Sequence, residues 1–382
     1  MSARSEVVVP FNVPPLGEEE MEAACRSIKE GAIGGGGKYT RLVEECLRDV
    51  TGASYAYFVT SCTHAMELAL MALGVGPGDE VILPSFTFTS NATCVVRQKA
   101  QPVFADIDPV TWNLDPEDVA RCLTPRTRVV MPVHYAGHPA RLKEIAALIR
   151  PPCVLVEDAA HALGARYLGR PVGTIGEAGC FSFHITKNIT CGEGGALLLR
   201  DRETARRAEF IREKGTNRAQ FLRGEVRHYS WVSEGSSFAA SDLLAAILVE
   251  QLKKAETILA RRREIWHGYA KALAPLASRG NLTLPVLEPS VQSSYHIFAI
   301  LVSPDRRDNL REALLARGIE TAPHYIPLHS SPFWVQAFGT HQRPLPVTER
   351  VGRSLLRLPI YPDLTSSQQG LVIEALHELL DR

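Results

Sequence analysis

A lysine in an unusual turn is the first residue in this sequence whose surroundings suggest chemistry. Lys187 lies in HITKNITCGEGG (184–195), a stretch rich in Gly, Thr and Asn between the apolar runs 180–183 and 196–199. A turn held between two strands is a rigid support, from which a lysine amine can point into a crevice. Taken alone, Lys187 is also compatible with an ordinary loop lysine near the surface.

An aspartate at another predicted strand end gives the lysine a chemical partner. Asp158 follows the apolar run VLVE (154–157). A lysine that forms a Schiff base and a carboxylate that pairs with the pyridinium nitrogen are the two main contributions of a protein to pyridoxal 5'-phosphate (PLP) chemistry. The lysine must reach its neutral form, which a partly desolvated site permits. Asp158 is also compatible with a plain helix N-cap.

A third requirement, a phosphate site, is met by the motif SCTH at the start of a strongly helical run (61–73). The free N–H groups and the dipole of a helix start favour an anion, and Thr63 adds a hydroxyl. N-capping by Ser61 or Thr63 explains the motif equally well. Ser182 is either a further phosphate donor or an alternating strand residue, and Phe88 either stacks on a cofactor ring or belongs to the core.

The elements that must position these residues alternate between short apolar runs and helical patterns. Predicted strands lie at 81–86, 102–107, 129–134, 154–158, 180–183 and 196–199, with helices between them, notably 61–73 and 139–149. Several runs are continuously apolar, as in strands buried on both faces. This pattern predicts an α/β fold with a mostly parallel sheet sandwiched by helices. Ligands of such sheets bind beyond the carboxyl ends of the strands.

The pattern changes near residue 240, which predicts a second unit. One long helix is expected over 241–273, followed by a strand at 296–302 and helices at 307–318 and 367–380. We therefore predict a large PLP-binding α/β domain over residues 1–255. A smaller C-terminal α+β domain is predicted over residues 256–382.

Composition restricts the classes of partner and compartment. The 382 residues carry 42 Lys+Arg and 42 Asp+Glu, so no overall charge attracts nucleic acid or an anionic membrane. The N-terminus lacks the apolar core of a signal peptide, and no apolar run approaches the ~20 residues of a membrane helix. The eight cysteines are scattered without a C-x-x-C motif. We expect reduced thiols in a cytoplasmic protein and no metal site.

Two long motifs, EDAAHALGA (157–165) and CFSFHITKNITCGEGGALL (180–198), resemble the DegT/StrS-type sugar-nucleotide aminotransferases, PLP enzymes of fold type I. The resemblance spans nearly the whole chain. Further motifs that carry it are GDEVILPSFTFTSNA (78–92), PVHYAGHPA (132–140), HYIPLH (324–329) and LLRLPIYPDLT (355–365).

Within that family the chain is most similar to the subgroup of dTDP-4-amino-4,6-dideoxygalactose transaminases. The distinguishing stretch is IREKGTNRAQFLRGEVRHYSW (211–231), followed by GSSFAASDLLAA (235–246). Ser237 stands where most relatives have Asn, as it does in this subgroup. Arg218 and Arg223 within the stretch either meet the diphosphate or the donor carboxylate, or make surface or subunit salt bridges.

The resemblance implies a role for each candidate residue. Lys187 is the Schiff-base lysine, and Asp158 pairs with the pyridinium nitrogen. Five further cofactor residues and one from the other subunit are implied: His161 at the ring hydroxyl, Phe88 on the ring face, Cys62, Thr63 and Ser182 at the phosphate, and Ser237 reaching the partner's cofactor. The family usually has Gly at the position of Cys62, and the Cys side chain crowds the turn. The candidate substrate residues are His184, Arg218, His324 and Tyr325.

The implied reaction is ping-pong amino transfer from L-glutamate to C4 of dTDP-4-keto-6-deoxy-D-glucose. PLP alternates with pyridoxamine 5'-phosphate (PMP), and the products are 2-oxoglutarate and a dTDP-4-amino-4,6-dideoxyhexose. The resemblance also implies a homodimer with shared active sites. Alternatives are a 3-keto or a UDP- or GDP-linked acceptor, and a PLP-binding regulator without turnover. Lys187 argues against the related dehydratases, in which His replaces the lysine.

Overall fold

The computed structural model describes residues 7–341 and 343–381. The strands are β1 (Tyr55–Val59), β2 (Glu80–Pro84), β3 (Gln101–Ala105), β4 (Thr127–Val130), β5 (Val154–Asp158), β6 (Arg166–Tyr167), β7 (Arg170–Pro171), β8 (Ala178–Ser182), β9 (Gly195–Leu199), β10 (Val291–Gln292), β11 (Phe298–Leu301) and β12 (Leu355–Leu358). The helices are α1 (Glu18–Lys29), α2 (Lys38–Thr51), α3 (Cys62–Leu73), α4 (Ser90–Arg97), α5 (Pro116–Cys122), α6 (Leu142–Leu148), α7 (Arg202–Arg212), α8 (Arg218–Leu222), α9 (Asp242–Lys253), α10 (Ala255–Ser278), α11 (Pro304–Ala316), α12 (Pro332–Phe338), α13 (Pro346–Ser354) and α14 (Ser366–Leu380). Two short 3-10 helices span Tyr135–Gly137 and Leu328–Ser330.

A seven-stranded sheet in the order β1-β9-β8-β5-β4-β2-β3 forms the centre of the larger unit. The pairings from β3 through β2, β4 and β5 to β8 are parallel, whereas β9 pairs antiparallel with β8 and with β1. Strands β2 and β9 are buried along their whole length. The predicted mostly parallel α/β sheet is confirmed, and its continuously apolar runs are the buried strands.

Helices cover both faces of this sheet. Because side chains alternate along a strand, Leu197 and Leu199 of β9 join one hydrophobic cluster and Ala196 and Leu198 join another. The first cluster also contains the apolar faces of α3 and α7, and the second those of α2 and α9. The sheet is thus the middle of three layers, which confirms the predicted sandwich.

The single helix predicted over 241–273 is wrong. The chain forms α9 and α10 instead, with Lys254 between them. The Lys254 amide bonds to the carbonyl of Gln251, an i to i−3 contact that closes α9, and Lys254 has a φ of −92° and a ψ of 0°. The apolar pattern continues through the break, so periodicity did not reveal it.

A smaller unit is built around the antiparallel pair β11–β12 and a hydrophobic cluster that draws on α10, α11 and α14. Val9 belongs to this cluster and forms a parallel bridge with Ile319. The start of the described chain therefore packs on the C-terminal unit. The division at residue 255 stays a prediction. Among the described residues, no helix is long and apolar enough to cross a membrane.

Two adjacent carboxylates end strand β5 and point to opposite faces of the sheet. Glu157 is completely buried and accepts hydrogen bonds from His134 Nε2 (3.0 Å) and from the amides of Gly173, Ile175 and Gly176 (2.7 Å each). These donors hold the pKa of Glu157 below its usual range although burial opposes them. Asp158 faces the other way, into a cavity at the carboxyl ends of β2, β5 and β8.

Candidate active site

A cavity of about 610 Å³ lies between the carboxyl ends of the parallel strands and the smaller unit. That volume is in the usual range for small-molecule and cofactor sites. Ten of the twelve candidate residues line it: Cys62, Thr63, Phe88, Asp158, His161, Ser182, His184, Lys187, His324 and Tyr325. The structure therefore brings together residues that lie up to 263 positions apart in the sequence.

Lys187 enters this cavity from the turn between β8 and β9. Burial lowers the pKa of its amine to about 8, although the nearby Asp158 carboxylate acts in the opposite direction. A lysine with such a pKa is partly neutral at physiological pH, as a nucleophile or a proton carrier requires.

The turn that carries Lys187 is anchored on both sides. The next residue, Asn188, donates to the Ser294 carbonyl (2.8 Å), and its side-chain oxygen lies 2.8 Å from His296 Nδ1. A Cβ on Gly195 would come within 2.4 Å of the Cys62 amide nitrogen. The glycines after Lys187 thus let β9 pass directly against the start of α3, so the lysine and the helix start share one cavity.

Asp158 is held by an amide that the sequence analysis missed. Asn91 Nδ2 donates to Asp158 Oδ2 (2.8 Å), while Thr87 Oγ1 donates to Asn91 Oδ1 (2.9 Å). The backbone amide of Ala160 donates to Asp158 Oδ1 (2.9 Å). No helix starts after Asp158, because residues 159–164 form turns, so the helix N-cap interpretation is wrong. Its oriented carboxylate is available to a cationic ring nitrogen.

His161 is a neutral ring beside the lysine. Burial lowers the pKa of His161 well below its usual value, and the charge of Lys187 acts in the same direction. The Ala136 amide donates to Nδ1 (3.3 Å), which leaves the ring proton on Nε2. His161 can therefore donate one hydrogen bond to an oxygen in the cavity, as the predicted contact with the ring hydroxyl needs.

The start of α3 lines the cavity, and its free backbone amides would favour an anion there. Ser61 caps the helix by accepting from the His64 amide (3.1 Å), and Thr63 Oγ1 lies 2.7 Å from Ser90 Oγ. The capping interpretation is thus confirmed for Ser61. It does not compete with anion binding, since one side chain satisfies only one of the free amides. Ser182, the last residue of β8, also lines the cavity.

Aromatic rings line another part of the cavity. Phe88 is 58% exposed, which rules out a core position, and its ring centroid lies 6.4 Å from that of Tyr325. His324 and Tyr325 stack with centroids 3.9 Å apart, and Tyr135 Oη lies 3.1 Å from His324 Nδ1. Burial and the charge of Arg357 lower the pKa of His324 to about 2, so this ring is neutral.

The residues of the distinguishing segment lie outside the cavity of their own chain. Arg218 begins α8 and is exposed, and Ser237 is exposed and forms an antiparallel bridge with Glu213. Arg223 forms ion pairs with Glu209 and Glu225, as in the surface salt-bridge interpretation of this arginine. The roles of Arg218 and Ser237 toward ligands stay predictions.

His184 has a local partner as well as a place in the cavity. Its Nδ1 lies 2.9 Å from Thr186 Oγ1, and its Nε2 lies 3.6 Å from Glu193. Both neighbours also line the cavity. His184 therefore belongs to a polar group of side chains, all from the turn that carries Lys187, that line the cavity.

The residues present fit a PLP cofactor on structural grounds. A partly neutral lysine, a carboxylate aligned by Asn91, a neutral histidine donor and a helix start face one cavity with an exposed aromatic ring. PLP has a matching aldehyde, a ring nitrogen, a ring hydroxyl and a phosphate.

Comparison with known proteins gives the same result. The model of the DegT/DnrJ/EryC1/StrS aminotransferase family matches residues 14–377. An uncharacterised protein of Methanocaldococcus jannaschii, MJ1066, is 36% identical over 99% of this chain and 98% of its own length. The aminotransferase TlmJ from Streptoalloteichus hindustanus superposes with a TM-score of 0.90 at 33% identity, covering 98% of this chain and 99% of TlmJ.

A third comparison concerns the cofactor. Spr1654 of Streptococcus pneumoniae, assigned as a sugar aminotransferase, is solved in a PLP form and a PMP form. Each superposes with a TM-score of 0.90 at 26% identity, covering 98% of both chains. With a family match over almost the whole chain, the regulator without turnover is excluded. The chain belongs to the DegT/DnrJ/EryC1/StrS aminotransferase family and is a PLP-dependent sugar aminotransferase.

Proposed function

We propose that this enzyme transfers the amino group of L-glutamate to C4 of dTDP-4-keto-6-deoxy-D-glucose. The products are 2-oxoglutarate and a dTDP-4-amino-4,6-dideoxyhexose. The observation that carries the amino transfer is the cavity in which Lys187 faces the aligned carboxylate of Asp158. The choice of acceptor rests on the distinguishing stretch 211–231, followed by 235–246, which resembles the dTDP-4-amino subgroup.

Lys187 is the proton carrier of the proposed reaction. When bound, PLP supplies the electron sink that makes the C–H bond next to the amino group acidic. The Lys187 amine, with its pKa near 8, accepts that proton in one half-reaction and returns one in the other. The hydrogen bonds from Asn91 and the Ala160 amide fix the Asp158 carboxylate in the cavity, where it would pair with the ring nitrogen and keep a proton on it.

The remaining cofactor residues are proposed to orient the cofactor ring and to hold its phosphate. The Nε2–H of His161 would donate to the ring hydroxyl, and Phe88 would cover one ring face. Cys62, Thr63 and Ser182 would hold the phosphate at the start of α3, where amides and helix dipole favour an anion. Burial raises the pKa of Cys62 well above its usual value, so its thiol adds no negative charge near the phosphate.

Reduction with borohydride tests the role of Lys187. We expect the holoenzyme to absorb visible light and to lose that absorption on reduction. Mass spectrometry should then find the cofactor mass on the peptide that contains Lys187. An adduct on any of the other lysines would contradict the assignment.

The acceptor is tested by competition. Keto sugars that differ in keto position or nucleotide are offered in pairs, and kcat/KM is measured for each. We expect the dTDP-linked 4-keto sugar to be preferred. If a 3-keto isomer or a UDP- or GDP-linked sugar is preferred about tenfold or more, a difference of ~1.4 kcal/mol, that alternative acceptor replaces the proposed one while the amino transfer stands.

We further propose a homodimer with shared active sites. Ser237 is exposed and does not line its own cavity, so a contact with a cofactor requires a second subunit. The same segment exposes large apolar side chains: Phe221 (40%), Leu222 (63%), Tyr229 (55%) and Trp231 (78%). Exposed apolar groups of this kind mark interaction surfaces.

Mixing two inactive variants tests the shared sites. Lys187→Ala is combined with a variant altered within 211–237, after unfolding and refolding together. Regained activity is expected, because one site can be assembled from two intact halves. An active, monodisperse monomer in sedimentation would contradict the dimer. We also propose a cytoplasmic location, which is supported by eight free cysteines in the described chain.

A further inference from the structure

Arg357 places a guanidinium in the cavity, where no described residue provides a carboxylate partner. It lies on β12 of the smaller unit, with its guanidinium carbon 4.7 Å from the ring centroid of Phe11. Nη2 donates to the Pro323 carbonyl (3.2 Å), whereas Nε is buried and has no hydrogen-bond partner in the described part of the chain. Across residues 7–341 and 343–381, no Asp or Glu forms an ion pair with it.

The other arginine of the cavity shows what a structural role looks like. Arg262 is 2% exposed, and its Nε and Nη2 donate to the carbonyls of Tyr295 (3.1 Å) and His296 (2.6 Å). Those bonds tie α10 to the chain before β11. Arg357 makes one such bond and leaves a buried donor unsatisfied, which costs free energy that a bound acceptor would recover.

The charge of Arg357 reaches the reacting amine. Burial lowers its own pKa, and it in turn lowers the pKa of Lys187 and of His324. Its neighbours on this side, Tyr135 and Tyr325, are neutral because burial raises the pKa of both phenols. An anion beside Arg357 would therefore meet an unbalanced positive charge close to Lys187.

We propose that Arg357 binds the α-carboxylate of the amino donor and so holds the donor's amino-bearing carbon against Lys187. A planar guanidinium fork matches a carboxylate. In an amino acid the carboxylate is bonded directly to the carbon that carries the amine. In the acceptor, the diphosphate is separated from C4 by the sugar ring, so it reaches further from Lys187. The proposal rests on the amino-donor half of the proposed function.

Measuring the two half-reactions separately shows whether Arg357 binds the donor carboxylate or a nucleotide phosphate. Arg357→Gln, Arg357→Lys and wild type are compared as holoenzymes by absorbance, first with PLP enzyme and L-glutamate, then with PMP enzyme and the keto sugar. We expect Arg357→Gln to lower kcat/KM for L-glutamate about tenfold to a hundredfold, the usual effect of losing a charge-assisted contact, and to leave the sugar half-reaction within about threefold. Arg357→Lys keeps the charge but lacks the planar guanidinium fork. Its kcat/KM for L-glutamate should therefore lie between those of wild type and Arg357→Gln.

A binding measurement without chemistry completes the test. Glutarate has two carboxylates but no amine or ketone, so it cannot react with the cofactor. Its dissociation constant, measured by calorimetry, should rise about tenfold or more in Arg357→Gln, while that of dTDP stays unchanged. Arg353→Gln is the matched control, because Arg353 is exposed on α13, four residues earlier, and does not line the cavity.

Three results would overturn the proposal: a sugar half-reaction that falls alone, glutarate affinity that is unchanged, or an Arg353→Gln effect as large as that of Arg357→Gln. Thermal unfolding checks the fold of each variant, and Arg357→Lys decides if Arg357→Gln does not fold. If wild type reacts with another amino acid and not with L-glutamate, the proposed donor is wrong. The Arg357 proposal is then decided with that amino acid.

Discussion

Capture of PLP by the cofactor-free protein should report the lowered pKa of Lys187. Only the neutral amine attacks an aldehyde. With a pKa of about 8, roughly a tenth of Lys187 is neutral at pH 7, against about one in 2,500 for a lysine with the ordinary pKa of about 10.4. The neutral fraction is thus raised roughly 200-fold at pH 7, and the advantage disappears above pH 10.

Stopped-flow absorbance measures this difference directly. PLP is mixed with cofactor-free protein from pH 6 to pH 10, and each rate constant is divided by that of Nα-acetyl-lysine amide under the same conditions. The ratio should be constant below pH 7 and fall from about pH 8 upward, because Lys187 is then already neutral while the free lysine continues to deprotonate. Lys187→Ala shows the background from other lysines.

Asp158→Asn tests whether the Asp158 charge raises or lowers the pKa of Lys187. The Asp158 carboxylate favours the charged ammonium and so raises the pKa of Lys187. Without that charge the pKa should fall below 8, and the decline of the ratio should begin at a lower pH. A ratio that stays flat to pH 10 in wild type would refute the desolvated lysine, and a shift to higher pH in Asp158→Asn would refute the electrostatic argument.

Three further substitutions test the cavity. Asp158→Ala should lower turnover at least ~10²-fold with the fold retained, since the electron sink weakens by about 3 kcal/mol; near-normal turnover would refute the pyridinium contact. Asn91→Leu removes the 2.8 Å bond to Asp158 and should lower kcat about tenfold; it should also lower Tm, because the buried Thr87 hydroxyl loses its acceptor. Gly195→Ala places a Cβ 2.2 Å from the Ser61 carbonyl carbon and should weaken PLP binding and lower Tm, whereas Gly370→Ala, with open space around it, should not.

Sequence patterns predicted the residues whose chemistry is local to one strand end. β5 spans 154–158 as expected, and the turn with Lys187 lies between two buried strands. A buried parallel strand carries a continuous apolar signal, and its carboxyl end is a known place for ligands. The relation between Lys187 and Asp158 followed from that rule.

Contacts that arise only on folding were not visible in the sequence. Asn91 is part of an N-x-T triplet with no local sign of a partner 67 residues away. Its one signal was its position shortly after a predicted strand end. Arg357 follows two leucines in a short apolar run, and nothing nearby in the sequence indicates that it lines the same cavity as Lys187. The break at Lys254 was missed because both helices share one apolar pattern.

The four hydrogen bonds that Glu157 accepts also affect how reliably the strands pair in the correct register. A slip of β5 by one residue would exchange the faces of its two final carboxylates. Glu157 would then leave three backbone amides and His134 without their acceptor, while Asp158, shorter by one methylene, could not span the same distances. A misregistered sheet is thus penalised before any cofactor is present. Fidelity of strand pairing and placement of the cofactor's counter-charge are secured by neighbouring residues of one strand.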